Sequence, residues 1–99
     1  MKRVSMTGLR AFERVVATGS QRQAGEDLGV TQTAISHAIR GLEAQLGTDL
    51  FRRDSNTSSL TRTGRDLAAE LGPAFGRIDR VVERLIGERD LVTLSTTPA

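Results

Sequence analysis

Six polar side chains fall between positions 31 and 40: Thr31, Gln32, Thr33, Ser36, His37 and Arg40. Positions 33, 36, 37 and 40 recur at helical spacing, so on a helix they share one face. The chemistry of such a face is hydrogen bonding. A glutamine carboxamide matches the donor–acceptor pair on an adenine edge, a threonine methyl suits a thymine methyl, and serine and arginine reach phosphates. The same pattern also fits an ordinary helical hairpin with a solvated face, and the residues 31–40 by themselves leave both readings open.

Reaction chemistry finds little to work with. There is no cysteine and a single histidine, His37, which excludes disulfides, thiolate metal sites and a histidine metal cluster. Ser36 and His37 are adjacent, and helical neighbours one apart do not face each other, so they make no nucleophile–base pair. No catalytic residue, metal ligand or cofactor is expected. No apolar run is long enough to span a membrane and no secretory leader is visible, so a cytoplasmic location is expected. The net charge of +2 is divided unevenly: residues 1–65 carry ten Lys/Arg against six Asp/Glu, and residues 66–99 carry four against six. The basic excess lies where a phosphate-binding surface would need it.

Three helices are expected to position the polar face. Thr7 can cap a first helix running to about position 18, with Leu9, Phe12 and Val16 on its apolar stripe and Val15 beside it. Gly19 ends it, and Ser20 can cap a second helix over residues 21–28. Gly29 and Val30 form a tight turn, and Thr31 caps the third helix. There Ile35, Ile39, Leu42 and Leu46 form one buried face before Gly47 closes it. Gly25 supplies the small residue that two steeply crossing helices need at closest approach.

Residues 49–61 change character. Leu50 and Phe51, then Arg52 and Arg53, lead into the turn-rich DSNTSS, after which Leu60 resumes the apolar pattern. Two short strands joined by a loop are expected, a wing whose base carries two arginines. Thr61 can cap a long fourth helix over residues 62–88. In it Leu67, Leu71, Ala74, Ile78, Val81 and Leu85 recur at steps of four and three, a seam that suits pairing with a second copy. Pro73 inside this helix predicts a bend.

Taken together, LRAF at 9–12, GS at 19–20, VTQTAISHAIRGLEAQLG at 30–47, LFRR at 50–53 and LTRTG at 60–64 resemble the N-terminal winged helix-turn-helix domain of LysR-type transcriptional regulators. The resemblance spans residues 4–87. It implies a mostly α fold: three helices plus a short two-stranded wing, followed by a long linker helix that dimerises. It also implies double-stranded DNA as partner, bound at a pseudo-palindromic promoter site by a homodimer, with tetramers possible in the full-length protein. By position, Gln32, Thr33, Ser36 and His37 fall where the family reads bases, and Ser20, Thr31, Arg40, Arg52, Arg53 and Thr61 where it meets the backbone. Leu67, Leu71, Ala74, Ile78, Val81 and Leu85 form the dimer seam.

Residues 1–64 are thus expected to be the DNA-binding domain, 65–88 the linker helix, and 89–99 a hinge and the first strand of an effector-binding domain. A small-molecule effector would act only through that further domain.

The chain departs from the family pattern at four places. Thr33 stands where proline is common, and His37 where arginine is frequent, which removes a fixed charge. Gln21 replaces an aromatic residue and Gly25 an alanine, so a weaker second helix is expected, glycine costing about 0.5–1 kcal/mol relative to alanine. His37 and the closing LSTTPA resemble a subgroup that includes the β-lactamase and glycine-cleavage activators. The alternatives are an enzyme, which lacks the necessary residues, and a winged-helix interaction module that does not touch DNA; a DNA titration separates the second from the main reading.

Overall fold

The computed structural model describes residues 3–53 and 59–96, with side chains as far as position 89. Four helices follow one another: α1 (Met6–Thr18), α2 (Gln21–Leu28), α3 (Gln32–Leu46) and α4 (Arg62–Thr96). The first three form a bundle around one apolar cluster of Ala11, Phe12 and Val15 from α1, Ala24 from α2, Ile35, Ile39 and Leu42 from α3, and Leu50. Phe51 closes the cluster edge-on to Phe12, with ring centroids 5.4 Å apart.

Each of these helices starts at a hydroxyl cap. Ser20 and Thr31 cap α2 and α3 as expected, but α1 begins earlier than Thr7: the Ser5 hydroxyl accepts the amide of Gly8 at 3.1 Å. A tertiary bond favours Ser5, whose own amide donates to Gln45 Oε1 at 2.9 Å at the far end of α3. Gly19, Gly29 and Gly47 end the three helices in the left-handed region. Glycine takes this conformation without steric cost, which lets the chain reverse at once into the next element.

The turn between α2 and α3 is tight. Val30 donates its amide to the Gly25 carbonyl at 2.9 Å. A methyl group at position 25 would lie 2.7 Å from the Val30 carbonyl oxygen, so the buried glycine that weakens α2 by propensity also permits this approach.

Two expected core positions lie outside. Val16 and Leu46 are exposed, and their places in the α1 and α3 stripes are taken by Ala11 and by the carboxylate-bearing Glu43. The expected two-stranded wing is reduced, among the described residues, to a single antiparallel bridge between Phe51 and Leu60, with the Arg52 amide bonded to the Ser59 carbonyl at 2.7 Å. The loop tip at 54–58 lies outside the described residues.

Thr61 caps α4 as expected, accepting the Gly64 amide at 3.0 Å. The helix continues to Thr96, eight residues beyond the expected end and through the segment read as a first strand. The alternation in that segment suits a strand only when a partner strand satisfies its backbone; a helix satisfies its own. The helix runs on through Pro73, whose missing N–H leaves the Ala69 carbonyl without its intrahelical donor.

Candidate nucleic-acid interface

Helix α3 is two-faced. Ile35, Ile39 and Leu42 are buried, while Gln32, Thr33, His37 and Arg40 are exposed and Ser36 is half-buried beside them. The bundle thus holds one side of α3 and turns the other outward, bringing the four positions expected to read bases onto one surface. Arg40 lies exposed a turn further along that surface.

The expected backbone-contact residues divide by how they are held. The Ser20 hydroxyl accepts the Gln23 amide at 3.1 Å, and the Thr31 hydroxyl accepts the Ala34 amide at 3.0 Å. Thr61 accepts from Gly64 and donates its hydroxyl proton to the Asp49 carbonyl at 2.8 Å. These side chains are committed to capping. What they can offer an anion is the remaining unpaired amides of the helix starts.

Arg53 is not a loose cation. One guanidinium nitrogen lies 2.8 Å from Glu43 Oε1 and 3.6 Å from Asp49 Oδ1. Glu43 is buried near the C-terminal end of α3, and its other oxygen accepts the amides of Leu50 at 2.7 Å and Phe51 at 3.3 Å. Sequence reasoning passed over Glu43, because a glutamate in a helix usually belongs to the solvated face. The only sequence signal was its place beside Leu42 on the buried side.

A second polar network was also missed. The Arg14 guanidinium grips buried Glu13 through two bonds, at 2.9 and 2.7 Å, and reaches Asp27 of α2 at 3.4 Å. Its pKa is raised, chiefly by the hydrogen bond to Glu13. Arg10 joins Glu13 to Asp79 of α4 and lies 4.5 Å above the Phe75 ring. The Arg10 hydrogen bond holds the Asp79 carboxyl below the ordinary carboxylate value. The sequence carries no signal for this α1–α4 contact, because Asp79 lies sixty-nine positions from Arg10.

The six positions of the expected seam do not share one environment. Leu67 and Leu71 are partly buried against the bundle core, and buried Phe75 continues that contact. Ala74, Ile78, Val81 and Leu85 are exposed. With Val82 and Ile86, the large apolar residues between positions 78 and 86 stand 44–54% exposed. Among the described residues no helix is long and apolar enough to cross a membrane.

Comparison with known proteins places this arrangement. Residues 6–65 match the family described as bacterial regulatory helix-turn-helix protein, lysR family. The HTH-type transcriptional activator AmpR of Rhodobacter capsulatus is 42% identical over 89 residues, covering 90% of this chain and 31% of the relative. A glycine cleavage system transcriptional activator homolog from Haemophilus influenzae is 34% identical over 93 residues, covering 94% of this chain and 29% of the relative. The chain thus spans about a third of the length of the curated relatives it matches. Among solved structures, the BenM DNA-binding domain in complex with benA site 1 DNA has a TM-score of 0.70 at 26% identity, covering 87% of this chain and 97% of that one. Vibrio fischeri DarR in complex with DNA has a TM-score of 0.66 at 27% identity, covering 90% of this chain and 30% of that one.

Proposed function

The chain belongs to the LysR family of bacterial regulatory helix-turn-helix proteins, and from that premise we propose that it is the DNA-binding part of a transcriptional regulator that reads a pseudo-palindromic promoter site as a homodimer. The observation that carries this reading is the outward face of α3, where Gln32, Thr33, His37 and Arg40 stand exposed over a rigidly packed apolar underside. A helix held in this way can enter a major groove without losing its support.

In this reading Gln32, Thr33, Ser36 and His37 supply sequence preference. Arg40, Arg52, Arg53 and the helix starts at Ser20, Thr31 and Thr61 set register on the phosphates. The exposed half of α4, with Ala74, Ile78, Val81 and Leu85, pairs with a second copy, while Leu67 and Leu71 serve the chain's own core. Residues 1–64 act as the DNA-binding unit, 65–88 as the pairing helix, and 89–99 as the passage to a further domain that senses a small-molecule effector. The protein works in the cytoplasm and catalyses no reaction.

The test is retention of the chain on a pool of randomised duplexes at two salt concentrations, followed by sequencing. Enrichment of an interrupted dyad with fixed spacing is expected. Retention without enrichment would remove the base-reading role, and no retention at low salt would overturn DNA binding altogether.

A further inference from the structure

Glu43 links the two parts of the proposed interface. It belongs to α3, the element bearing the exposed polar face, and it grips the segment that leads into the wing. Oε2 accepts the amides of Leu50 and Phe51, and Oε1 accepts from Arg53. The carboxylate is buried, whereas the Arg53 side chain is 57% exposed: one guanidinium nitrogen is held by Glu43 at 2.8 Å, with Asp49 further off at 3.6 Å, and more than half of the side chain stays open to solvent. Helix electrostatics disfavour this anion: a carboxylate near the C-terminal end of a helix faces the negative end of the dipole. Its partners are therefore what keep it there, and among the described residues they lie on Leu50, Phe51 and Arg53. Arg40, Glu43, Asp49 and Arg53 line one open depression between the end of α3 and the wing.

We propose that Glu43 is a positioning residue for DNA recognition, fixing the Arg53 guanidinium at a set distance from the polar face of α3 so that groove and phosphate contacts are made in one register. Glu43 touches no DNA itself; it acts through Arg53. A flexible arginine loses side-chain freedom when it binds a phosphate, and one already tethered loses less. The inference rests on the DNA-binding reading above.

The substitution Glu43→Gln separates tethering from charge. The glutamine oxygen still accepts the Leu50 and Phe51 amides, but its nitrogen cannot accept from Arg53. The variant is more positive by one charge, so simple electrostatics would make it bind every duplex more tightly. Tethering gives the opposite result on the duplex enriched from the random pool: affinity falls by roughly three- to tenfold, while binding to a random duplex of equal length holds or rises. In an Arg53→Ala background the loss caused by Glu43→Gln should vanish. Arg53→Lys, which keeps the charge and leaves Glu43 intact, should lower the same specificity ratio and serves if Glu43→Gln folds poorly by its thermal midpoint. Equal changes on both duplexes, or the same loss with and without Arg53, would overturn the positioning role. A wild-type chain that binds neither duplex would overturn the DNA reading and this inference with it.

Discussion

Gly64 shows how much can depend on the absence of a side chain. It is buried in the first turn of α4, and a methyl group there would collide with the Leu50 carbonyl oxygen, which is backbone and is already bonded to the Thr61 amide. Gly64→Ala should therefore destabilise the chain by about 2–3 kcal/mol despite alanine's better helix propensity, read from denaturant or thermal unfolding. A stability equal to wild type would mean that the backbone at Leu50 yields easily. At the exposed face the expectation is reversed. Gln32→Ala should leave stability unchanged and weaken the enriched site by about 1–3 kcal/mol, with little effect on random DNA. Equal losses on both duplexes would reduce Gln32 to a general contact. Residues of the second kind are legible in a sequence because polar side chains cluster opposite an apolar stripe. Glu43 is not, since its reason for burial is a pair of amides seven and eight residues further on that only the folded chain brings within reach.

The helices α2 and α3 were legible almost to the residue, because hydroxyl caps and closing glycines mark both ends with local chemistry. The start of α1 was not: Ser5 outcompetes Thr7 through a bond to Gln45, forty positions away. The far end of α4 was misread because alternation of apolar residues says nothing about whether a partner strand exists. Helix α4 also has two roles along its length. Its first half docks on α1 through Leu67, Leu71 and Phe75, fastened by Arg10 and Asp79. Asp79 has its pKa lowered in the folded chain, so this fastening is present above the ordinary carboxylate value and is lost as pH falls through the lower, folded value. Asp79→Asn should flatten the acid limb of the stability profile; an unchanged profile would show that the contact contributes nothing, as exposed pairs often do. Among the described residues the second half has no such partner. Ile78→Lys with Leu85→Lys should leave the fold of the bundle intact and shift sedimentation toward the single chain. A mass unaffected by the pair would place the contact between copies elsewhere.

At the scale of the whole molecule, a small bundle carries a helix roughly 50 Å long at 1.5 Å per residue, and the longest dimension of the chain is 62 Å. Residues 1–65 carry an excess of basic side chains and residues 66–99 an excess of acidic ones, so attraction to a polyanion should be concentrated in the first part of the chain. Arg40→Ala and Arg53→Ala should each weaken all duplexes and reduce the salt slope by about one; a slope that does not move would remove that arginine from the phosphate contacts. The identity of this fold was visible in the order and spacing of five short motifs. The division of α4 between docking and exposure was not, because both halves carry the same period and only the position of α1 distinguishes them.

The row of apolar side chains from Ile78 to Ile86 also makes abundance a variable. If two copies must meet along that row before a two-part site can be filled, then below the pairing constant the binding species grows with the square of the total concentration. Doubling the supply of chain would then raise promoter occupancy about fourfold in the dilute regime. Expression level would then set the sharpness of the response.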